Sequence, residues 1–312
     1  VKGLTAFCHV LTESNTTHKS VPMLMSSVSA HDFNSIYQQK SIITTFKEAG
    51  YQTAFFSNQR YNHSFIDFFG KEADTCNFIK ENVKHANYNP SDDELLELVA
   101  TELAKNAPKQ FIVLHTYGSH FNYRERYPSE NAFFLPDFPV DAEVKYKDNL
   151  VNAYDNSIRY TDDFLARLIG MLQEQNTDAA MLYSSDHGED IFDDSRRLFL
   201  HASPVPSYYQ IHVPFLLWMS DSYRDHYPSL WENTISNKQK NISSSASFFH
   251  TMLELGGVTT PYRNDSLSVV NVLFTEKPRV YLNDHNEARS LNEIGMGEED
   301  FEMLQQKGIL YR

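Results

Sequence analysis

Short apolar runs alternate with amphipathic stretches along this chain. The runs Gln52 to Ser57, Phe111 to Leu114, Ala179 to Tyr183 and Val213 to Met219 are too short for ordinary helices and are flanked by polar residues. That pattern predicts buried β-strands. Between them lie stretches with helical signals. Ser41 to Ala49 predicts a helix closed by Gly50 as its C-cap. Ser91-Asp92-Asp93-Glu94 predicts a helix start, with Ser91 and Glu94 as a capping box and Leu95, Leu96, Leu98, Val99 and Leu103 as apolar positions. Leu150 to Gln173 predicts a long helix whose apolar face holds Ile158, Phe164, Leu165, Leu168, Ile169 and Leu172. Ser243 to Leu255 predicts another, stopped by Gly256-Gly257, and Arg279 to Leu282 a last strand. The stretch from Tyr123 to Lys147 carries Pro128, Pro136 and Pro139 and reads as a long irregular loop, a type commonly functional. Strand–helix alternation with apolar strands predicts an α/β fold, a mostly parallel central sheet sandwiched by helices.

Candidate chemistry gathers where strands end. Ser185-Asp186-His187-Gly188-Glu189 follows the strand Ala179 to Tyr183. Asp186 and His187 are either turn residues or an oxygen and a nitrogen ligand for zinc. His115 to His120 closes the strand Phe111 to Leu114. His115 reads as a satisfied half-buried side chain, and His120, further into the loop, is the better site candidate. In an open α/β sheet both strand ends would share the edge where ligands bind. His201 follows by a short excursion that can fold back over the site. Ser14-Asn15-Thr16-Thr17 precedes Val21 to Met25, which predicts a short helix with Pro22 near its start. A helix N-terminus there could bind phosphate, or the hydroxyls could be plain caps. The pattern alone leaves Thr16, Thr17 and Ser20 open as the reactive group.

Composition narrows the classes. The chain has 312 residues, 41% of them hydrophobic, which suits a globular α/β protein. A formal charge of −14 disfavours nucleic acid as partner and argues against electrostatic adhesion to anionic lipid. No apolar run approaches the roughly 20 residues that span a bilayer, and no signal peptide is visible. The chain begins at Val1, so a fragment or processed product is expected. Cys8 and Cys76 could form one disulfide or remain two buried thiols. There is no G-x-S-x-G elbow, Walker A loop, H-E-x-x-H, Rossmann glycine pattern or C-x-P-x-R segment.

Taken together the segments resemble the catalytic domain of the phosphoethanolamine transferases, in the alkaline phosphatase and sulfatase superfamily. Thr17-His18-Lys19-Ser20-Val21-Pro22-Met23-Leu24-Met25-Ser26 looks like the nucleophile segment, with the reactive Thr five residues before Pro. His115 to His120 looks like the family's H-x-x-G-S-H loop, followed by Arg126-Tyr127-Pro128. Asn152-Ala153-Tyr154-Asp155-Asn156-Ser157 matches its N-x-Y-D-N-[ST] helix, Ser185 to Glu189 its S-D-H-G-E motif, and Leu200-His201 its L-H. The resemblance runs from about residue 5 to 255 and implies one sulfatase-like catalytic domain over 1–312, with 256–312 a C-terminal extension of it.

It further implies zinc held by Thr17, Asp186 and His187, and Thr17 attacking phosphatidylethanolamine. The phosphoethanolamine then passes to an envelope glycolipid or glycan. His120 and His201 would hold the phosphate, bind a second zinc or protonate the leaving group, and Asn58 and Gln59 would contact the headgroup. A monomer at the periplasmic face of the bacterial inner membrane is implied, anchored by an N-terminal region. The family's fourth zinc ligand is a Glu on a first strand, expected to lie before Val1; Glu13 is in the wrong place. The chain as given is therefore expected to be metal-poor or inactive. Alternatives are a phosphoglycerol transferase, a sulfatase-like phosphodiesterase or hydrolase, or a non-catalytic phosphate-binding relative.

Overall fold

The computed structural model describes residues 1–82 and 89–311. The chain divides into two compact units: residues 1–49, 175–190 and 201–312 form the first, and 50–174 and 191–200 the second.

The first unit begins with β1 (Leu4–Ala6), β2 (His9–Leu11), α1 (Thr17–Leu24) and α2 (Ile42–Glu48). Ser41 caps α2 by accepting from the Thr44 N–H at 3.2 Å, and the chain leaves α2 through Gly50 at φ +84°, as the sequence predicts. Pro22 differs from expectation. It lies in the second turn of the eight-residue α1 rather than at its start.

The second unit carries β3 (Gln52–Ser57), α3 (Phe65–Gly70), β4 (Thr75–Phe78), α4 (Glu94–Leu103), β5 (Gln110–His115) and α5 (Lys147–Glu174). Its sheet has the order β4-β3-β5 and is parallel throughout. β3 is the central strand, and its Ala54, Phe55 and Phe56 are buried on both faces. Two expectations fail locally. The Ser91–Glu94 box does not form, because the Ser91 hydroxyl bonds the Tyr160 hydroxyl at 2.9 Å and α4 begins at Glu94 itself. Ile158 is exposed. The buried stripe of α5 runs through Ala153, Asn156, Ser157, Tyr160 and Phe164, and one residue is about 100° around the helix.

The short strands β7 (Asp190–Ile191) and β8 (Phe199–Leu200) follow β6 (Ala180–Ser184). The rest of the first unit is α6 (Tyr208–Ile211), β9 (Phe215–Met219), α7 (Asp221–His226), α8 (Pro228–Asn237), β10 (Asn241–Ser243), α9 (Ser244–Leu255), β11 (Val280–Leu282), β12 (Ala288–Ser290) and α10 (Glu298–Gln306). β9 lies between β1 and β6 and runs antiparallel to both, while β2 pairs with β10 in parallel. So β5 and β6, the two strands that end in His-bearing loops, belong to different sheets. Phe7, Val10, Phe215, Leu217, Ile242 and Phe274 build the core of this unit. The last 50 or so residues are integral to it, since Leu304 and Ile309 are buried with Leu11 and Ile211. Cys8 and Cys76 are exposed free thiols, neither bonded nor buried. No helix among the described residues is long and apolar enough to cross a membrane.

Candidate active site

β6 ends at Ser184 and delivers Asp186 and His187 into a turn. The Gly188 N–H is bound by the Gln210 carbonyl at 2.8 Å, which pins that turn to α6. Across from it, Thr17 is the first residue of α1. Its Oγ1 lies 3.1 Å from His187 Nε2. The other hydroxyls are engaged elsewhere: Thr16 Oγ1 pairs with Ser14 Oγ at 3.2 Å, and the buried Ser20 donates to the Ser14 carbonyl at 2.8 Å. Of the three candidates, Thr17 is the one that meets the imidazole.

The tautomer of His187 follows from its other nitrogen. Nδ1 lies 3.0 Å from the Gly188 carbonyl oxygen, so Nδ1–H donates, and in the neutral ring Nε2 bears the lone pair. Asp186 Oδ2 is 3.4 Å from that same Nε2. A carboxylate oxygen and an imidazole lone pair thus face each other, and a hydroxyl oxygen faces the same nitrogen. A cation would relieve that arrangement. Donors around tetrahedral zinc, with bonds of about 2 Å, stand about 3.3 Å apart, and the two spacings here match that edge length. Among the described residues no three His, Cys, Asp or Glu side chains converge on one point. The set offered is two such groups and the Thr17 hydroxyl, and it fits zinc as an open three-donor site. Glu13 is not part of it. Its buried carboxylate accepts from the Ala30 N–H and the Ser243 hydroxyl, both at 2.7 Å, and burial raises its pKa.

His201 does fold back, and its ring centroid lies 4.2 Å from that of His187. Its Nδ1 is 3.0 Å from Glu189 Oε1, whose side chain is 6% exposed. A buried carboxylate therefore orients this imidazole. Leu200 and Ala202, on either side of His201, both have positive φ, at 69° and 62°. Non-glycine residues adopt that region at a cost, and such strain tends to collect at working sites.

The second unit holds the other candidates. His115 is satisfied, with Nδ1 3.0 Å from the Ser57 hydroxyl and Nε2 3.3 Å from the Gln59 amide nitrogen. Asn58 is buried and donates to the Pro90 carbonyl at 3.0 Å and to Asp92 Oδ1 at 2.8 Å. The same Asp92 accepts the N–H groups of Tyr117 and Gly118 at 2.8 and 2.9 Å, which shapes the loop that carries His120. His120 is exposed, and its Nδ1 donates to the Phe121 carbonyl at 2.6 Å. The neighbouring Tyr117 ring carries two cations, Lys80 Nζ at 3.5 Å and the Arg126 guanidinium at 4.1 Å. Burial, and then Arg126, push the Lys80 pKa down to about 8.

A description of the sulfatase family matches residues 2–258, most of the chain. The chain belongs to the sulfatase family. Among its relatives, phosphoethanolamine transferase EptC of Escherichia coli K12 is 25% identical over 288 residues, 89% of this chain and 48% of that protein. The chain thus spans about half the length of that relative. The fold is that of the C-terminal periplasmic domain of the E. coli EptC protein, solved in complex with zinc. The two superpose with a TM-score of 0.84 at 24% identity over 96% of this chain and 85% of that one. The integral membrane protein lipooligosaccharide phosphoethanolamine transferase A of Neisseria meningitidis matches with a TM-score of 0.76 at 24% identity, over 86% of this chain and 51% of that one.

Several residues around this candidate site carry no signal in the sequence. Asn15, just before α1, donates to the Ser203 carbonyl at 2.9 Å and to Gln210 Oε1 at 2.5 Å. Gln210 donates to Asp190 at 2.5 Å and Ser203 at 2.9 Å, and the Ser207 hydroxyl donates to Asp190 at 2.7 Å. This buried network ties the start of α1, the turn after β6 and the His201 loop into one frame. Asn15 and Gln210 are 195 residues apart in the chain, and no local pattern reports such a pair. Glu189 had a local signal, since it completes the motif that supplies Asp186 and His187.

Proposed function

We propose that this chain carries the catalytic site of a zinc-dependent phosphoethanolamine transferase. It would move the headgroup of phosphatidylethanolamine to an envelope glycolipid through a phospho-Thr17 intermediate. The observation that carries the reading is the convergence of Thr17 Oγ1 and Asp186 Oδ2 on His187 Nε2, at 3.1 and 3.4 Å. The names of the E. coli and N. meningitidis relatives support the transferase class, and the N. meningitidis name, which includes lipooligosaccharide, supports a glycolipid acceptor.

Thr17, Asp186 and His187 would hold the metal. Bound there, zinc supplies Lewis acidity that makes the Thr17 hydroxyl easier to deprotonate. Thr17 gives up its proton to solvent water and Oγ1 attacks phosphorus. The new Thr17–phosphorus bond forms as the bond to the diacylglycerol oxygen breaks. That oxygen takes a proton from His201, whose ring Glu189 orients through Nδ1 at 3.0 Å. In the second half the acceptor hydroxyl or phosphate gives its proton to His201 and attacks phosphorus, and the Thr17 oxygen leaves and takes a proton back from solvent water. His120 is proposed to hold the transferred phosphate. Gln59, half-buried beside His115, is the better placed of its pair for a headgroup contact, and the buried Asn58 braces Asp92. One catalytic domain over 1–312, working as a monomer on the periplasmic face of the inner membrane, is part of the same proposal.

The test is release of diacylglycerol from phosphatidylethanolamine with zinc in large excess, which offsets the weak metal affinity expected of a three-donor site. Thr17→Ala is expected to abolish release, and His187→Ala to lower it by about 100-fold or more, the scale on which lost charge stabilisation is felt. Undiminished release by Thr17→Ala would sink the proposal.

A further inference from the structure

The loop 132–144 turns its apolar side chains outward. Phe133, Leu135 and Phe138 are 66%, 67% and 66% exposed, and Val140 is 82% exposed. This is not a loosely held segment. Three asparagines on one face of α5 fix its backbone from beneath. Asn149 donates to the Phe138 carbonyl at 3.1 Å and Asn152 to the Pro136 carbonyl at 3.0 Å. Asn156 accepts the N–H groups of Phe133 and Phe134, both at 2.9 Å, and donates to the Phe134 carbonyl at 2.9 Å. The polar side chain of Asp137 points inward instead, buried, where it accepts from the Tyr127 hydroxyl at 2.8 Å and pairs with Arg124 at 3.1 Å. One polar side chain, Asp137, is thus spent on the interior while large apolar groups are presented to the outside, and the acidic Asp141 and Glu143 stay exposed further along the loop. Isolated exposed apolar residues need no explanation, but a contiguous set does.

Arginines stand at the root of this cluster. The Arg159 guanidinium lies 4.0 Å over the Phe133 ring, and that of Arg124 4.4 Å over Phe138. Among the described residues no carboxylate lies within ion-pair distance of Arg159. Aromatic and aliphatic tips with a cation set behind them match the layers of a phospholipid surface, in which apolar groups enter the acyl boundary and guanidinium meets phosphate. A protein partner fits less well, because a loop of about a dozen residues falls short of the 20–30 a side that a stable interface uses.

We propose that loop 132–144 docks on the surface of a phospholipid bilayer. The choice of lipid rests on the reading that the donor is a membrane phospholipid; binding itself involves no chemical step, so the two fail separately.

The test is flotation of the 312-residue chain with vesicles of phosphatidylethanolamine and phosphatidylglycerol in equal amounts. The double substitution Phe133→Ser with Phe138→Ser is expected to lower partitioning by at least roughly tenfold, the scale of losing two buried aromatic side chains, with circular dichroism unchanged. Arg159→Glu is expected to weaken it in low salt. A second measurement uses the indole introduced by Leu135→Trp, whose emission should shift to the blue with vesicles and be quenched by brominated lipid. Equal partitioning of wild type and double variant, or an indole unaffected by vesicles, would overturn the proposal. So would a dimer of the chain that the same substitutions dissolve, since a second copy would then be the occupant.

Discussion

At Gly188 the backbone passes so close to α6 that a Cβ would lie 2.1 Å from the Tyr209 carbonyl oxygen. The obstacle is main chain, which cannot rotate away. Sequence shows this glycine only as a turn residue between His187 and Glu189; the contact that requires it comes from a helix some twenty residues on. Gly188→Ala is expected to cost about 3 kcal/mol through forced displacement of the turn, read as a lowered midpoint in urea, and to move His187 away from Thr17. An unchanged midpoint would mean that α6 yields. The candidate residues themselves were named from the motifs. Thr17, Asp186, His187 and His201 stand in one unit, with Thr17 Oγ1 on His187 Nε2 and the two imidazoles stacked obliquely. Their braces, Asn15, Gln210 and Asp190, were not, because each depends on a partner chosen by the tertiary fold.

At the scale of elements, periodicity located strands and helices well where the segment's own pattern decides its state. β3 runs from Gln52 to Ser57 and α9 from Ser244 to Leu255 with Ser243 as its cap, within a residue of expectation. It failed at Ser91, whose hydroxyl is drawn off by Tyr160, and at Ile158, where the stripe is set by what α5 packs against. α9 also carries a pH-sensitive contact. The Asn264 N–H donates to His250 Nδ1 at 3.1 Å, which requires a neutral ring, and burial holds the His250 pKa down at about 4 against an ordinary 6.5. The unfolded chain takes up this proton as pH falls below 6.5, and the folded helix refuses it until about 4. Stability is therefore full above pH 6.5 and falls by about 3 kcal/mol as pH drops to 4. Urea titrations at several pH values should show this slope, and His250→Gln should flatten it; equal slopes would contradict the assignment. On α5, Asn156→Ala should release the loop above it, seen as faster hydrogen exchange at Phe133 and Phe134 with α5 itself still protected. Unchanged exchange there would mean that Asn149 and Asn152 suffice.

At the scale of the whole molecule, the strand–helix alternation led to the α/β class, and the order of four motif blocks led to the sulfatase family. The two-unit organisation was not legible, because the first unit is assembled from three separated stretches of chain. Nor was the outward face of loop 132–144, which reads in sequence only as part of a long irregular stretch until the asparagines of α5 are seen holding the backbone. The central claim concerns one oxygen atom. Peptide mass spectrometry of the protein after incubation with zinc and phosphatidylethanolamine should find a phosphoethanolamine adduct on Thr17, absent from Thr17→Ala. An adduct on another residue, or none while diacylglycerol is being released, would contradict it.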